Sequence, residues 1–232
     1  MRIKEAIILA GGLGTRLRDA VPDLPKCMAP VNNRPFISYV ITHLQKQGIK
    51  RFIFSLGYRS EAFTNYLSEY LPESNYQLVI EKEPLGTGGA VQLACTYAHD
   101  QQVVVVNGDS IFKTNLVSLA EFHEAYQADC TLALKPMENF ERYGVVELNP
   151  DQRIALFKEK QFYKKGLING GVYILNREAF LKETLPEKCS FETDYLQKYY
   201  DSRKIYGMEQ QGYFIDIGIP EDYLKAQTEL TN

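Results

Sequence analysis

The apolar positions of the chain fall into short blocks that alternate with amphipathic stretches of helical period. Ala6 to Leu9 is an unbroken apolar run ended by Gly11-Gly12-Leu13-Gly14, the pattern of a buried strand entering a turn. Pro35 opens a helical pattern: Phe36, Ile37, Val40, Ile41 and Leu44 share one face, and Gly48 follows as a stop signal. Arg51 to Ser55 predicts a second strand, and Ser60 stands where it would cap a helix through Leu71. Gln77 to Ile80 predicts a third strand and Gly88 to Ala98 a third helix. Gln102 to Val106 is an apolar strand running into Asn107-Gly108-Asp109. This alternation predicts a parallel, doubly wound sheet with ligands at the carboxyl ends of its strands.

After about Gln127 the rhythm changes. Cys130 to Leu134, Gly144 to Leu148, Ile154 to Phe157 and Leu167 to Leu175 are strand-like, with less helix between them. Two short helices are expected near Arg177 to Thr184 and Phe191 to Tyr200, then a strand from Tyr213 to Ile217 and a helix after Pro220. No repeat, low-complexity stretch or linker interrupts the chain. One domain is expected, residues 1–232, whose less regular second half (128–232) would cover the open edge of the sheet built by the first (1–127).

Composition narrows the function. The 232 residues suffice for one sizeable core. A formal net charge of -3 supplies no basic field for a nucleic-acid backbone, so no nucleic-acid partner is expected. The start, with acidic Glu5 and an early glycine pair, argues against a signal peptide, and no apolar run is long enough to span a bilayer. Cys27, Cys95, Cys130 and Cys189 are scattered without a CxxC pair, which fits reduced, buried thiols in a cytoplasmic protein.

Four segments carry candidate chemistry. Leu9-Ala10-Gly11-Gly12-Leu13-Gly14-Thr15-Arg16-Leu17 follows a strand, and its glycines let backbone N–H groups approach a phosphate. No Gly-Lys-Ser/Thr follows, so it is not a P-loop, and Leu17 takes the last glycine place of a dinucleotide fingerprint. It reads as a plain turn or as a phosphate loop; Arg16 and Lys26, two nearby cations, tilt it toward a triphosphate. Glu81-Lys82-Glu83-Pro84-Leu85-Gly86-Thr87-Gly88-Gly89-Ala90 reads as a glycine turn with solvated acids, or as a loop meeting a base and ribose. Asp109 and Asp216 each follow an apolar strand, at what would be a sheet's carboxyl edge. Each is an ordinary turn aspartate or a ligand for nucleotide-bound magnesium.

Taken together, LAGGLGTRL, PKCMAPV, EPLGTGGA, NGDS, YGVV, FKEK, NGGVY and DIGIPEDY occur in this order across nearly the whole chain. The set resembles the sugar-1-phosphate nucleotidylyltransferases. Cys27 departs from the PKPM that most relatives carry, with the lysine kept. The phrases EKEPLGTGGA, KGLINGGVYIL, SFETDYL and YFIDIGIPEDY are similar to the guanylyltransferase branch acting on a manno-configured heptose 1-phosphate. Mannose 1-phosphate or another nucleotide is the alternative within the enzymes, and a non-catalytic nucleotide-sugar sensor the alternative outside them.

The resemblance implies an α/β fold with a doubly wound, mostly parallel mixed sheet of Rossmann-like type. The chain ends soon after DIGIPEDY, so the β-helix some relatives append is not expected. It implies that Leu9, Ala10, Gly11, Gly12, Gly14 and Thr15 form the nucleotide-phosphate loop, with Arg16 and Lys26 the catalytic cations. Glu81, Glu83, Gly86 and Thr87 match base-side positions. Gly144, Glu159, Lys160 and Asn169 match the sugar-phosphate side, and Asp109 and Asp216 the ligands of a Mg²⁺ cofactor. The implied partners are GTP and a sugar 1-phosphate, with a homo-oligomer as the candidate assembly and no membrane. His43, His99 and His123 are scattered on expected helices and read as surface or core packing, and the basic cluster Lys158, Lys160, Lys164 and Lys165 reads in part as a solvated face, with a positional argument for Lys160 alone.

Overall fold

A computed structural model describes residues 3–12, 24–57 and 60–230. In chain order the elements are β1 (Glu5–Leu9), β2 (Pro30–Val31), β3 (Arg34–Pro35), α1 (Phe36–Lys46), β4 (Arg51–Leu56), α2 (Glu61–Tyr70), β5 (Tyr76–Ile80), α3 (Gly86–Cys95), β6 (Gln102–Asn107), β7 (Ser110–Phe112) and α4 (Leu116–Ala125). There follow β8 (Cys130–Phe140), β9 (Val146–Leu148), β10 (Ile154–Phe157), β11 (Tyr163–Asn176), α5 (Arg177–Leu181), a π-helix (Phe191–Leu196), α6 (Gln197–Tyr199), β12 (Ile205–Glu209), β13 (Phe214–Asp216) and α7 (Pro220–Glu229).

The main sheet has seven strands in the order β12-β8-β11-β6-β1-β4-β5. β6, β1, β4 and β5 run parallel, β12 runs parallel to β8, and β11 lies antiparallel between β6 and β8. The doubly wound, mostly parallel mixed sheet is therefore present. Strand periodicity explains why both faces are covered. Ala6, Ile8, Val104 and Val106 join the core with Phe36, Ile37, Val40, Ile41 and Leu44 of α1. Ile7, Val103 and Val105 point the other way and pack with Val91, Ala94 and Cys95 of α3 and with Phe191, Tyr195 and Leu196. Successive residues of a central strand thus feed two cores, which is why these strands are apolar throughout.

The second half covers the open β6 edge, as expected, by adding β11, β8 and β12 to the same sheet. Two other expectations need correction. β13 is not a strand of the main sheet but pairs antiparallel with β7, a short strand directly after Asp109. Ser60 makes no side-chain cap, because its own backbone is already helical (φ -57°, ψ -22°); instead its carbonyl accepts the Phe63 N–H.

One charged residue belongs to the core. Glu5 is 3% exposed, pairs with Arg51, and accepts the backbone N–H groups of His99 and Asp100 at 2.6 Å each. Burial alone would raise its pKa, but those N–H groups and the guanidinium outweigh burial and hold the carboxyl below its usual range. A depressed folded-state pKa gives stability that is present above the unfolded value and lost as pH falls. Below about pH 4.3, the ordinary glutamate value, wild type should lose stability more steeply than Glu5→Gln in urea titrations. Identical acid limbs for the two proteins would contradict this.

Candidate active site

The site lies where β1, β6 and the β7–β13 ribbon end. After Leu9 the chain is held by the Ala10 N–H on the Ser55 carbonyl, 2.9 Å, and by the Leu9 carbonyl accepting the Gly108 N–H, 2.8 Å. At Gly11 the approach is close: a Cβ there would lie 3.1 Å from Glu81 Oε1 and 3.2 Å from the Gly57 nitrogen. At Gly12 it would meet none of the described residues within 4 Å. Gly14, Thr15 and Arg16 lie outside the described residues.

Asp109 and Asp216 are far apart in sequence, and the β7–β13 ribbon unites them. Asp216 pairs in register with Ser110, the residue after Asp109, and the Ile217 N–H donates to the Asp109 carbonyl at 3.1 Å. Lys26 stands on a short 3-10 turn, and its Nζ is 2.7 Å from Asp109 Oδ2 and 3.3 Å from Asp216 Oδ1. One ammonium thus bridges both carboxylates. The Cys27 thiol beside it is buried and donates to the Ala10 carbonyl, sulfur to oxygen 3.8 Å, tying the lysine turn to the glycine loop. The proline-to-cysteine departure therefore keeps the lysine placed.

Two cavities meet at this point. One, of about 320 Å³, is lined by Leu9, Gly11, Gly12, Glu81, Gly86 and Thr87, among others. The other, of about 160 Å³, is lined by Gly144, Lys160, Asn169 and Asp216, together with Tyr143, Tyr173 and Glu192. Asn107 and Asp109 line both. Ala10, Glu83 and Glu159 line neither. Glu81 and Glu83 differ plainly: Glu83 is exposed, whereas Glu81 Oε2 accepts the Leu85 N–H at 2.9 Å and Oε1 faces the Ser55 hydroxyl at 3.3 Å. Glu81 therefore holds the turn into α3 while standing in the cavity wall. That turn needs glycine: Gly86 has φ +71°, and a Cβ would lie 2.5 Å from the Cys189 carbonyl oxygen.

Beside the smaller cavity a β-bulge places the polar groups. The β11–β8 register shifts between Asn169 and Tyr173, across Gly170 and Gly171. Asn169 Oδ1 accepts the Gly171 N–H at 3.1 Å, and its Nδ2 donates to the Tyr173 hydroxyl at 2.8 Å. Burial pushes the Tyr173 phenol well up, as it does Tyr143, which also feels the Asp216 charge. Of the basic cluster, Lys158 pairs with Glu147 and Lys165 with Glu138, while Lys160 lines the cavity. The sequence reading missed Ser55, Asn107, Tyr143, Tyr173 and Glu192. Asn107, Tyr143, Tyr173 and Glu192 sit inside the motifs NGDS, YGVV, NGGVY and SFETDYL and were within reach; Ser55 ends an apolar strand that carries no such signal.

Among the described residues no cysteine or histidine is placed here as a covalent nucleophile. All four cysteines are buried, and burial raises each thiol pKa. None of the three histidines lines either cavity. Among the described residues no group of three or more His, Cys, Asp or Glu gathers as a metal site. Among the described residues, also, no helix is long and apolar enough to cross a membrane.

Comparison with known proteins agrees with this geometry. The model of the nucleotidyl transferase family matches residues 5–232. The chain belongs to that family. A D-glycero-alpha-D-manno-heptose 1-phosphate guanylyltransferase of Aneurinibacillus thermoaerophilus is 50% identical over 226 residues, 97% of this chain and 98% of its own. The Campylobacter jejuni protein of the same name is 42% identical over 219 residues, 94% of this chain and 96% of its own. Among solved structures, HddC from Yersinia pseudotuberculosis complexed with GMP-PN matches with a TM-score of 0.88 at 33% identity, covering 99% of this chain and 100% of that one. The motif resemblance to nucleotidyl transferases is thereby borne out.

Proposed function

We propose that this nucleotidyl transferase moves a guanylyl group from GTP to a manno-configured heptose 1-phosphate, giving a GDP-sugar and pyrophosphate. The observation that carries the reading is the pair of cavities sharing Asp109, with Asp216 and Lys26 at the junction. The larger cavity takes the nucleotide. Glu81 in its wall has spare lone pairs to accept guanine N1–H and the exocyclic amine, whereas uracil and thymine offer a single N–H. The names of the two heptose 1-phosphate relatives support the smaller cavity's occupant.

The chemistry needs little covalent help. An oxygen of the sugar phosphate, already anionic, attacks the α-phosphorus of GTP; the new P–O bond forms as the bond to the pyrophosphate oxygen breaks, and pyrophosphate leaves with its electrons. This chain's part is positioning and charge. Lys26 holds a cation where the phosphates of both substrates converge, and Lys160 offers one on the sugar side. Asp109 and Asp216 fit a magnesium ion: they are hard oxygen donors converging on one nitrogen, and magnesium commonly takes one or two carboxylates besides phosphate and water. When bound, the ion neutralises charge on the departing pyrophosphate. Work beside a cytoplasmic pool of GTP belongs to the same proposal.

Steady-state kinetics with five nucleoside triphosphates against heptose, mannose and glucose 1-phosphates tests the assignment. Losing one hydrogen bond to a charged group is worth about 1.5–3 kcal/mol, so GTP should exceed UTP and dTTP in kcat/KM by about tenfold or more. A pyrimidine preference would overturn the base assignment, and good turnover of glucose 1-phosphate with none of the heptose would overturn the sugar.

A further inference from the structure

The segment Ser190-Phe191-Glu192-Thr193-Asp194-Tyr195-Leu196 has so far only a packing role, yet one of its side chains stands in the smaller cavity. Phe191, Tyr195 and Leu196 go into the core. Asp194 Oδ2 accepts the Ser190 N–H at 2.7 Å, and the Ser190 side chain accepts the Thr193 N–H, so these two close the segment on itself. Glu192 does neither. It is exposed toward the cavity that Asn169 and Tyr173 line, and among the described residues no hydrogen bond or ion pair engages its carboxylate. The segment is a π-helix, an uncommon form that recurs at functional sites.

The segment is also tied to the nucleotide side. The Phe191 N–H donates to the Thr87 hydroxyl at 2.9 Å, the Gly88 N–H to the Cys189 carbonyl at 2.8 Å, and the Cys189 N–H to the Leu85 carbonyl at 2.9 Å. Glu192 is thus held by backbone on the loop that lines the larger cavity while its side chain lines the smaller one. Its charge is close enough to contribute, after burial, to the raised pKa of Tyr173.

Resting on the proposed reaction, we propose that Glu192 is a specificity-determining residue: its carboxylate accepts hydrogen bonds from hydroxyls of the bound sugar 1-phosphate, in the cavity that Lys160 also lines. A carboxylate with two free oxygens is matched by two neighbouring hydroxyls, each a donor. Asn169 and Tyr173 form the adjoining polar wall. The carboxylate does no work for the fold, so its placement in this cavity is explained by a donor that arrives with the sugar.

The test is Glu192→Ala and the isosteric Glu192→Gln in the full chain, with thermal unfolding to confirm that both fold. For Glu192→Ala the KM for the heptose 1-phosphate should rise roughly tenfold or more, the loss of a hydrogen bond to a charged group, while the KM for GTP stays within about twofold. Glu192→Gln, which keeps one acceptor oxygen, should fall between. Monodeoxy sugar 1-phosphates supply a readout that a structural role would not move. At least one should be poorer than the parent sugar with wild type and equal to it with Glu192→Ala, as coupling between residue and hydroxyl requires. An unchanged sugar KM in both variants, equal shifts in sugar and GTP KM, or no coupled hydroxyl would each overturn the proposal. If wild type itself transfers no guanylyl group to any sugar 1-phosphate, the underlying reaction fails instead, and the two failures are thereby told apart.

Discussion

Asp109→Asn and Asp216→Asn should each lower turnover by about 10²–10³-fold at saturating substrates and magnesium. Both side chains are partly exposed, 40% and 28%, and asparagine keeps their size, so the fold should survive. In Asp216→Asn the new amide still offers an oxygen to the Gly218 N–H, which Asp216 Oδ1 accepts at 2.7 Å in wild type. What disappears is negative charge on a shared centre. Because both carboxylates converge on one nitrogen, the double variant should lose far less than the sum of the single free-energy losses. Single-turnover rates with circular dichroism as the folding control make the measurement. Near-normal magnesium-dependent turnover in either single variant would contradict the assignment.

Lys26→Met should have an effect of the same order, about 10²–10³-fold on turnover, since it removes a preorganised cation from the place where the phosphates meet. It carries a second, opposite signature. Wild-type Lys26 supplies a positive charge to two adjacent carboxylates, so a divalent cation must compete with the ammonium for them. With methionine in its place, Mn²⁺ binding without nucleotide should tighten while catalysis collapses. Unchanged turnover, or weaker Mn²⁺ binding, would show that Lys26 does not act at this centre.

The parallel strands and the helices packed on them were legible because each carries its own period. The β1 and β6 runs are continuously apolar, and the α1 face repeats at helical spacing, so local pattern and final burial agree. The β7–β13 ribbon was not legible. β7 has only three residues, and its pairing partner lies about a hundred positions away, beyond any local period. Yet this ribbon is what brings Asp109 and Asp216 together. That the two carboxylates would meet was implied by the motifs; the ribbon that joins them was not legible. The π-helix hid in the same way: Phe191, Tyr195 and Leu196 give an ordinary helical pattern, and the bonds that anchor the segment, from the Phe191 N–H to the Thr87 hydroxyl and from the Gly88 N–H to the Cys189 carbonyl, span about a hundred positions. Glu81 and Glu83 looked equivalent in sequence; the Leu85 N–H, which only Glu81 accepts, separates them.

The most direct test of the account is a product balance with purified wild-type protein, magnesium, GTP and D-glycero-α-D-manno-heptose 1-phosphate. GDP-heptose, identified by mass spectrometry, and pyrophosphate should appear in equal amounts, and neither should form when GTP, the sugar phosphate or the metal is left out. Pyrophosphate released without the sugar phosphate, or no GDP-sugar from GTP with any sugar 1-phosphate, would contradict it.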